Sequence, residues 1–181
     1  MGKTLNSYLV VGTGRSGTST TARILHEKLN IFMGDEFVPA NDTNKAGFYE
    51  DLGFYRFNND FLNNNTTYGR WLWHMLKFIE DRRKLGKPWG IKYSRMPNIM
   101  GFYLSLIDNP LIIYCYRDVS QVIKSLKRCY GHDDQRAKNL YYGRTEIIKR
   151  LLKGRGYLKI DFSNKLSDEE IITRINEWKV E

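Results

Sequence analysis

The chain has 181 residues, of which 41% are hydrophobic and 27% are charged, a composition typical of one folded domain and not of a disordered chain. A formal net charge of +9 favours a polyanionic partner: nucleic acid, an anionic membrane or a multiply phosphorylated ligand. The two cysteines have no metal-ligand spacing and need no disulfide. Without a membrane-span pattern or a signal-peptide pattern, we expect a single domain over residues 1–181, located in the cytoplasm.

The apolar periodicity predicts strands that alternate with helices along the chain. In chain order we expect strand 8–11, helices 20–29, 51–62 and 71–85, strand 89–93, helix 98–107, strand 111–116, helices 119–126 and 133–152, strand 157–160 and helix 168–178. The run at residues 111–116 is continuously apolar, as in strands that are buried on both faces of a parallel sheet. The predicted fold class is therefore α/β, with three α/β/α layers around a mainly parallel sheet.

A glycine-rich loop, GTGRSGTS at residues 12–19, lies between the first predicted strand and the first predicted helix. Such a loop presents backbone N–H groups and the positive end of a helix dipole to an anion. The candidate phosphate-binding residues are Gly14, Arg15, Ser16, Gly17, Thr18, Ser19 and Thr20. The alternative to phosphate binding is a purely structural turn that lets a helix pack on the sheet. The hydroxyl groups and Arg15 favour phosphate binding.

The loop nearly fits the Walker pattern GxxxxGK[ST], because Gly12 and Gly17 have the required separation. Thr18 stands where the lysine of that pattern belongs, which argues against ordinary nucleoside triphosphate chemistry. A P-loop phosphotransferase with an unusual loop, acting on a magnesium-bound triphosphate, remains an alternative. Another is a non-catalytic nucleic-acid-binding protein that uses the basic runs at 124–128 and 144–155, and a third is a protein that binds nucleotide without turnover. Nucleic acid is the less favoured partner, because such runs are more often solvated helix faces.

Residues 15–19, RSGTS, resemble the 5′-phosphosulfate-binding loop, [KR]SGT[ST], of sulfotransferases that use 3′-phosphoadenylyl sulfate (PAPS). The resemblance implies a P-loop-like nucleotide-binding fold in which the loop holds the phosphosulfate end of PAPS. Those enzymes bind the 3′-phosphate through an arginine at the end of an apolar strand and a serine eight residues later. Arg117 and Ser125 match that pattern, although Asp118-Val119 replaces the common Asn-Pro. An arginine at the carboxyl end of a parallel strand also points into the crevice where such sheets bind ligands.

Residues 90–95, GIKYSR, resemble the family's strand that ends in a lysine. In the family this lysine stabilises the bridging oxygen and the transferring sulfuryl group, so the resemblance implies that role for Lys92. A cation that is fixed where negative charge develops is the main electrostatic aid that such a transfer needs.

The resemblance also suggests which residue removes the acceptor's proton. Cytosolic small-molecule members place a histidine two residues after the strand lysine, where this chain has Ser94. Tyrosylprotein and carbohydrate sulfotransferases use a glutamate after the first helix. In the tyrosylprotein type it lies twenty-one residues beyond the loop arginine, which from Arg15 leads to Glu36. Glu50, which has aromatic neighbours, is the rival; we favour Glu36.

The resemblance as a whole implies sulfuryl transfer from PAPS to a hydroxyl or amine acceptor, with adenosine 3′,5′-bisphosphate as the product. It implies no metal, because the protein supplies the cations. We expect the acceptor to be a small molecule, a carbohydrate or a peptide.

Overall fold

The computed structural model describes residues 6–178. In chain order its elements are β1 (Ser7–Gly12), α1 (Thr18–Glu27), α2 (Leu52–Leu62), α3 (Tyr68–Arg83), β2 (Trp89–Lys92), a short 3-10 helix (Met96–Asn98), α4 (Met100–Leu106), β3 (Leu111–Tyr116), α5 (Val119–Tyr130), α6 (Asp134–Leu152), β4 (Leu158–Asp161) and α7 (Asp168–Trp178). None of the helices within this range is both long enough and apolar enough to cross a lipid bilayer.

The four strands form one sheet in the order β2-β1-β3-β4, and every neighbouring pair is parallel. β1 lies between β2 and β3, with Val10 opposite both Lys92 and Ile113. The carboxyl ends of all four strands therefore lie at one edge of the sheet, the edge at which open α/β sheets bind ligands. The predicted α/β fold with a parallel sheet is confirmed.

Alternation along β1 separates the two faces of the sheet. Leu9 and Val11 pack with the core residues of α2, α3, α4 and α6, whereas Tyr8 and Val10 pack with those of α1 and α7. The sheet is thus the middle of three layers. α5 adds a smaller apolar cluster with α6, and this cluster holds α5 beside the carboxyl edge of the sheet.

Four helices differ by more than one residue from the predicted boundaries, and the first of them, α1, covers Thr18–Glu27 instead of 20–29. α3 begins at Tyr68 because Thr67 accepts a hydrogen bond from the N–H of Arg70, which caps the helix before its first apolar residue. α5 continues to Tyr130 and ends where Gly131 takes a left-handed φ of 64°. The helix expected at 98–107 is divided into the 3-10 turn and α4.

Candidate functional site

The loop between β1 and α1 has a backbone path with three left-handed residues. Gly14, Arg15 and Gly17 have φ values of 80°, 60° and 94°, and glycine takes such values without steric cost. Gly17 is also the residue before the first turn of α1 and has no side chain that could cap it. The first N–H groups of α1 are therefore directed at the space above the loop, as in a phosphate-binding loop.

The predicted loop residues divide between two cavities and the interior. Gly14, Arg15, Thr18 and Ser19 line one cavity, whereas Gly17 and Thr20 line a second cavity. The side chain of Ser16 is fully buried, and its Oγ lies where a Cβ on Gly12 would approach it to 2.3 Å.

The first cavity has a volume of about 210 Å³. Its lining consists of Gly14, Arg15, Thr18, Ser19, Asn44, Phe48, Lys92, Ser94, Leu126, Tyr130, His132, Leu140 and Arg144. The lining contains three permanent cations and no Asp or Glu side chain, so the cavity is suited to an anion. Its remaining polar and aromatic side chains come from the first turn of α1, the loop before α2, the segment after β2, the end of α5 and the segment after α5.

A buried ion pair lies beside this cavity. Lys92, the last residue of β2, donates from Nζ to Oε1 of Glu50 at 2.6 Å, and the two side chains are 2% and 1% exposed. The same Nζ donates to Oγ of Ser19 at 3.2 Å and to the carbonyl oxygen of Phe48 at 3.0 Å. Burial lowers the pKa of Lys92, and the Glu50 carboxylate opposes this shift. The lysine is thus fixed by contacts with the glycine loop and with the segment before α2.

The two candidate glutamates have different surroundings. Glu50 Oε1 also accepts the N–H of Ser94 at 2.9 Å, and Oε2 is buried with no hydrogen-bond partner among residues 6–178. Glu36 is exposed, and its carbonyl oxygen accepts the N–H of Leu52 at 2.8 Å. Neither glutamate is among the residues that line the cavity. The structure therefore brings Glu50, and not Glu36, to Lys92.

The distant pair Arg117 and Ser125 meets the loop at Arg15. Arg15 donates from Nε to Oγ of Ser125 at 3.1 Å, and Nη1 of Arg117 donates to the carbonyl oxygen of Arg15 at 3.3 Å. Arg117 is further held by Oε1 of Gln121, which accepts from its Nε at 2.8 Å. Arg117 and Ser125, which the resemblance assigns to the 3′-phosphate, therefore contact Arg15, which it assigns to the phosphosulfate.

Arg117 also lines the second cavity, which has a volume of about 320 Å³. Its other lining residues are Gly17, Thr20, Gln121, Phe162, Ser163, Asn164, Lys165 and Leu166. This cavity combines two cations with an aromatic ring. The ring of Phe162 lies against Gly17, where an added Cβ would come within 2.4 Å of it.

Arg144 lines the first cavity, although its position in the basic run 144–155 did not predict this. Nη1 of Arg144 donates to the carbonyl oxygen of Thr13 at 3.1 Å, and the side chain lines the first cavity. Spacing is the signal that could have found it. Arg144 lies between the buried residues Tyr141, Thr145 and Ile148 of α6, and residues three or four apart share a helix face.

The arginines around the loop differ in their partners from Arg23 and Arg82. Arg23 and Arg82 form ion pairs with Asp168 and Asp51 at 2.7 and 2.6 Å. Within residues 6–178, the three arginines that contact the loop have no carboxylate partner; they are Arg15, Arg117 and Arg144. A cluster of unpaired cations at a helix N-terminus is an electrostatic site for a ligand with several negative charges.

Comparisons with known proteins agree with this architecture. No protein-family model matches the chain, and no curated protein matches it. Among solved structures, the protein is similar to the sulfotransferase domain from the Synechococcus PCC 7002 olefin synthase, with a TM-score of 0.57 and 16% identity over 98% of this chain and 74% of that one. It is also similar to the deoxyadenosine kinase from M. mycoides, solved with bound dATP, with a TM-score of 0.51 and 14% identity over 97% of this chain and 100% of that one. At these identities the likeness establishes the fold, and the predicted P-loop-like architecture is confirmed.

Proposed function

We propose that the protein transfers a sulfuryl group from PAPS to a hydroxyl or amine acceptor and releases adenosine 3′,5′-bisphosphate. The observation that carries the proposal is the contact of Lys92 with Ser19 of the loop, at 3.2 Å, while Glu50 holds the same ammonium group. A P-loop NTPase takes its lysine from the loop itself, where this chain has Thr18. Here the cation comes from a neighbouring strand and is ion-paired with a carboxylate. Such a pair suits a reaction that needs a cation to stabilise the leaving group and a carboxylate to act as the base.

The donor would span the glycine loop. We assign its phosphosulfate to the first cavity, where the N-terminus of α1 and Arg15 face an anion. We assign its 3′-phosphate to Arg117 and Ser125, which both contact Arg15. The second cavity, with Arg117 and the ring of Phe162, would take the nucleoside. The absence of carboxylate partners for these arginines within residues 6–178 supports a donor that is charged at both ends.

In the proposed reaction the acceptor oxygen or nitrogen forms a bond to sulfur while the bond between sulfur and the bridging oxygen breaks. The electron pair of the breaking bond stays on the bridging oxygen, which leaves as part of the 5′-phosphate of adenosine 3′,5′-bisphosphate. Lys92 stabilises the charge that develops on this oxygen. The acceptor's proton moves to a carboxylate of the protein, so the products are the sulfated acceptor, the bisphosphate and the protonated carboxyl group.

Lys92 must exchange one contact in order to reach the donor. An ammonium group has three N–H donors, and here Ser19, the Phe48 carbonyl and Glu50 accept all of them. The contact with Ser19 is the longest, at 3.2 Å, and we assign it to the exchange. Ser19 would then turn its hydroxyl group to the phosphosulfate. Binding of the donor would thus release Lys92 from Ser19 and place its ammonium group at the phosphosulfate in the same step.

We propose Glu50 as the proton acceptor in preference to Glu36. Glu50 Oε2 is the oxygen without a hydrogen-bond partner among the described residues, so its lone pairs are available to a proton. The carboxylate is also bound to the cation that would serve the leaving group. Glu36 is exposed, and a base that is surrounded by water competes with solvent for the acceptor. The proposed acceptor is a small molecule, a carbohydrate or a peptide whose hydroxyl or amine reaches this buried carboxylate.

The second candidate function is phosphoryl transfer from a magnesium-bound nucleoside triphosphate. Structural similarity to a deoxyadenosine kinase favours it, and the loop has the length of a Walker loop. The residue at the lysine position, Thr18, is the observation against it. A non-catalytic nucleotide-binding or nucleic-acid-binding protein is a third possibility that the same experiment separates.

The test is calorimetric titration with three nucleotides. We expect adenosine 3′,5′-bisphosphate to bind at least about tenfold more tightly than adenosine 5′-phosphate, because only the former carries the 3′-phosphate. Tighter binding of ATP with magnesium than of the bisphosphate would support phosphoryl transfer instead. If the protein binds DNA of arbitrary sequence with an affinity that falls steeply with salt, and binds no nucleotide, the result would support a nucleic-acid-binding protein.

A further inference from the structure

Arg144, a residue of α6, lines the first cavity together with Arg15. Its Nη1 donates to the Thr13 carbonyl oxygen at 3.1 Å, and the same atom is 3.2 Å from the position that a Cβ on Gly14 would occupy. The guanidinium therefore lies directly against the first turn of the glycine loop. It comes from α6, far along the chain, so nothing in the loop motif implies its presence.

The Arg144 guanidinium has unused hydrogen-bonding capacity. A guanidinium carries five N–H donors in a planar fork, and within residues 6–178 its one acceptor is the Thr13 carbonyl. Arg144 is half-buried without a carboxylate in that range, whereas the buried Arg82 is paired with Asp51 at 2.6 Å. Partial burial removes some of the water around the guanidinium, and an anionic ligand in the cavity would compensate for that loss. Burial, and the positive charge of Arg95, also lower the pKa of Arg144.

The charges of the cavity lining show what kind of ligand would balance it. Lys92 is already neutralised by Glu50 at 2.6 Å, which leaves Arg15 and Arg144 as the uncompensated permanent cations of the lining. A phosphosulfate carries one negative charge on its phosphate and one on its sulfuryl group. Arg15 is held on the α5 side by Ser125, and Arg144 is held on the side of Thr13.

We infer that Arg144 binds the sulfuryl oxygens of the donor and is a specificity-determining residue for a donor with a second anionic group beyond the 5′-phosphate. The inference rests on the proposed function. Arg15 then binds the phosphate and Arg144 the transferring group, with Lys92 at the bridging oxygen between them. Bidentate contacts from a guanidinium fork to two sulfuryl oxygens fix the group in one orientation for attack.

The test compares PAPS with adenosine 3′,5′-bisphosphate, which lacks only the sulfuryl group. For Arg144→Gln we expect about tenfold weaker binding of PAPS and less than about twofold weaker binding of the bisphosphate, both by calorimetry without acceptor. Arg144→Lys keeps the charge without the fork, and we expect an intermediate loss for PAPS. Arg150→Gln, an exposed arginine of the same helix, is the matched control and leaves both affinities unchanged.

Equal weakening of both ligands, or no change in either, overturns the inference. No change in either ligand, together with a lower affinity for acidic acceptors, would assign Arg144 to the acceptor instead. If Arg144→Gln unfolds, as shown by its thermal transition, the ratio of the two affinities in Arg144→Lys decides the question. If the wild-type protein fails to bind the bisphosphate, the proposed function itself is contradicted. That result comes from the titration of the wild-type protein and not from the comparison of variants.

Discussion

Arg15 donates a hydrogen bond from Nε to Oγ of Ser125 at 3.1 Å and so joins two residues that are 110 positions apart. The contact connects the glycine loop with the middle of α5. It has two interpretations: Ser125 orients Arg15 for the 5′ end of the donor, or Ser125 is itself a ligand of the 3′-phosphate. A single substitution separates them.

For Ser125→Ala we expect binding of adenosine 3′,5′-bisphosphate to weaken about tenfold while binding of adenosine 5′-phosphate changes less than about twofold. The reason is that the lost hydroxyl group would serve the 3′-phosphate, which only the first ligand has. Calorimetry measures both affinities, and Ser105→Ala, an exposed serine of α4, is the control. An equal loss for both ligands would show that Ser125 acts only through Arg15.

The buried pair of Lys92 and Glu50 predicts a particular pattern of stabilities. Lys92→Met leaves an unpaired buried carboxylate and Glu50→Gln leaves an unpaired buried ammonium, so we expect each to lower the free energy of unfolding by about 3 kcal/mol. In the double variant neither charge remains, and we expect most of the loss to be recovered. Urea unfolding of the four proteins measures the coupling. Additive losses in the double variant would contradict a direct interaction.

The choice of base predicts a difference between two conservative variants. Glu50→Gln removes the proposed proton acceptor, and we expect PAPS turnover to fall by about 100-fold or more. Glu36→Gln changes an exposed carboxylate, and we expect turnover within about twofold of wild type. The measurement is release of adenosine 3′,5′-bisphosphate, with the acceptor that gives the highest wild-type rate. The opposite ranking would restore Glu36, the residue that the sequence favoured.

The close contact between Gly17 and Phe162 predicts that the loop tolerates no side chain there. In Gly17→Ala the Cβ would lie 2.4 Å from the Phe162 ring, on a residue with φ of 94°, so we expect a loss of about 1–3 kcal/mol in stability together with weaker nucleotide binding. Gly143→Ala is the matched control, because an added Cβ there meets open space on α6 and favours the helix by about 0.5–1 kcal/mol. Thermal unfolding with and without bisphosphate tests both. A Gly17→Ala protein as stable as wild type would contradict the packing described.

The amino-terminal cap of α5 predicts an acid-sensitive contribution to stability. Asp118 accepts the N–H of Ser120 at 2.9 Å, and hydrogen bonds from Ser120 hold the pKa of Asp118 below its usual value. A lowered folded-state pKa gives stability that is present above the unfolded pKa and is lost as the pH falls through the folded value. Between about pH 6 and about pH 3 we expect the melting temperature of wild type to fall further than that of Asp118→Asn, since asparagine caps without titrating. Parallel curves for the two proteins would contradict this contribution.

The sequence predicted those parts of the molecule that depend on local periodicity. β1, the glycine loop and α1 follow from an apolar run, three glycines and a helical spacing, and the order of strands and helices led directly to the α/β class. The position of Arg117 at the carboxyl end of β3 was predictable because this residue follows the most apolar run of the sequence. In each case a few neighbouring residues carry the information.

The site contacts that depend on tertiary packing could not be predicted in this way. The segment before α2 has no periodicity, and its path is set by contacts such as the Val38 N–H with the Glu50 carbonyl oxygen at 2.8 Å. Only this path brings Glu50 to Lys92. Arg144 could not be predicted for a different reason. A basic run is typical of a solvent-exposed helix face, and the inward position of Arg144 depends on how α6 packs on the sheet.

The order of the strands has a consequence for how the protein would resist degradation. The glycine loop, Lys92 and Arg117 lie at the carboxyl ends of β1, β2 and β3, and these chain segments meet only when the sheet is complete. A nucleotide bound by all three would connect β1, β2 and β3, so that none of these three strands could detach while the ligand stays bound. At a ligand concentration of about 100 times Kd this linkage adds about 2.7 kcal/mol against global unfolding. Digestion by a protease that cuts only opened chains would then slow in proportion, which gives a cell supplied with donor a longer-lived protein.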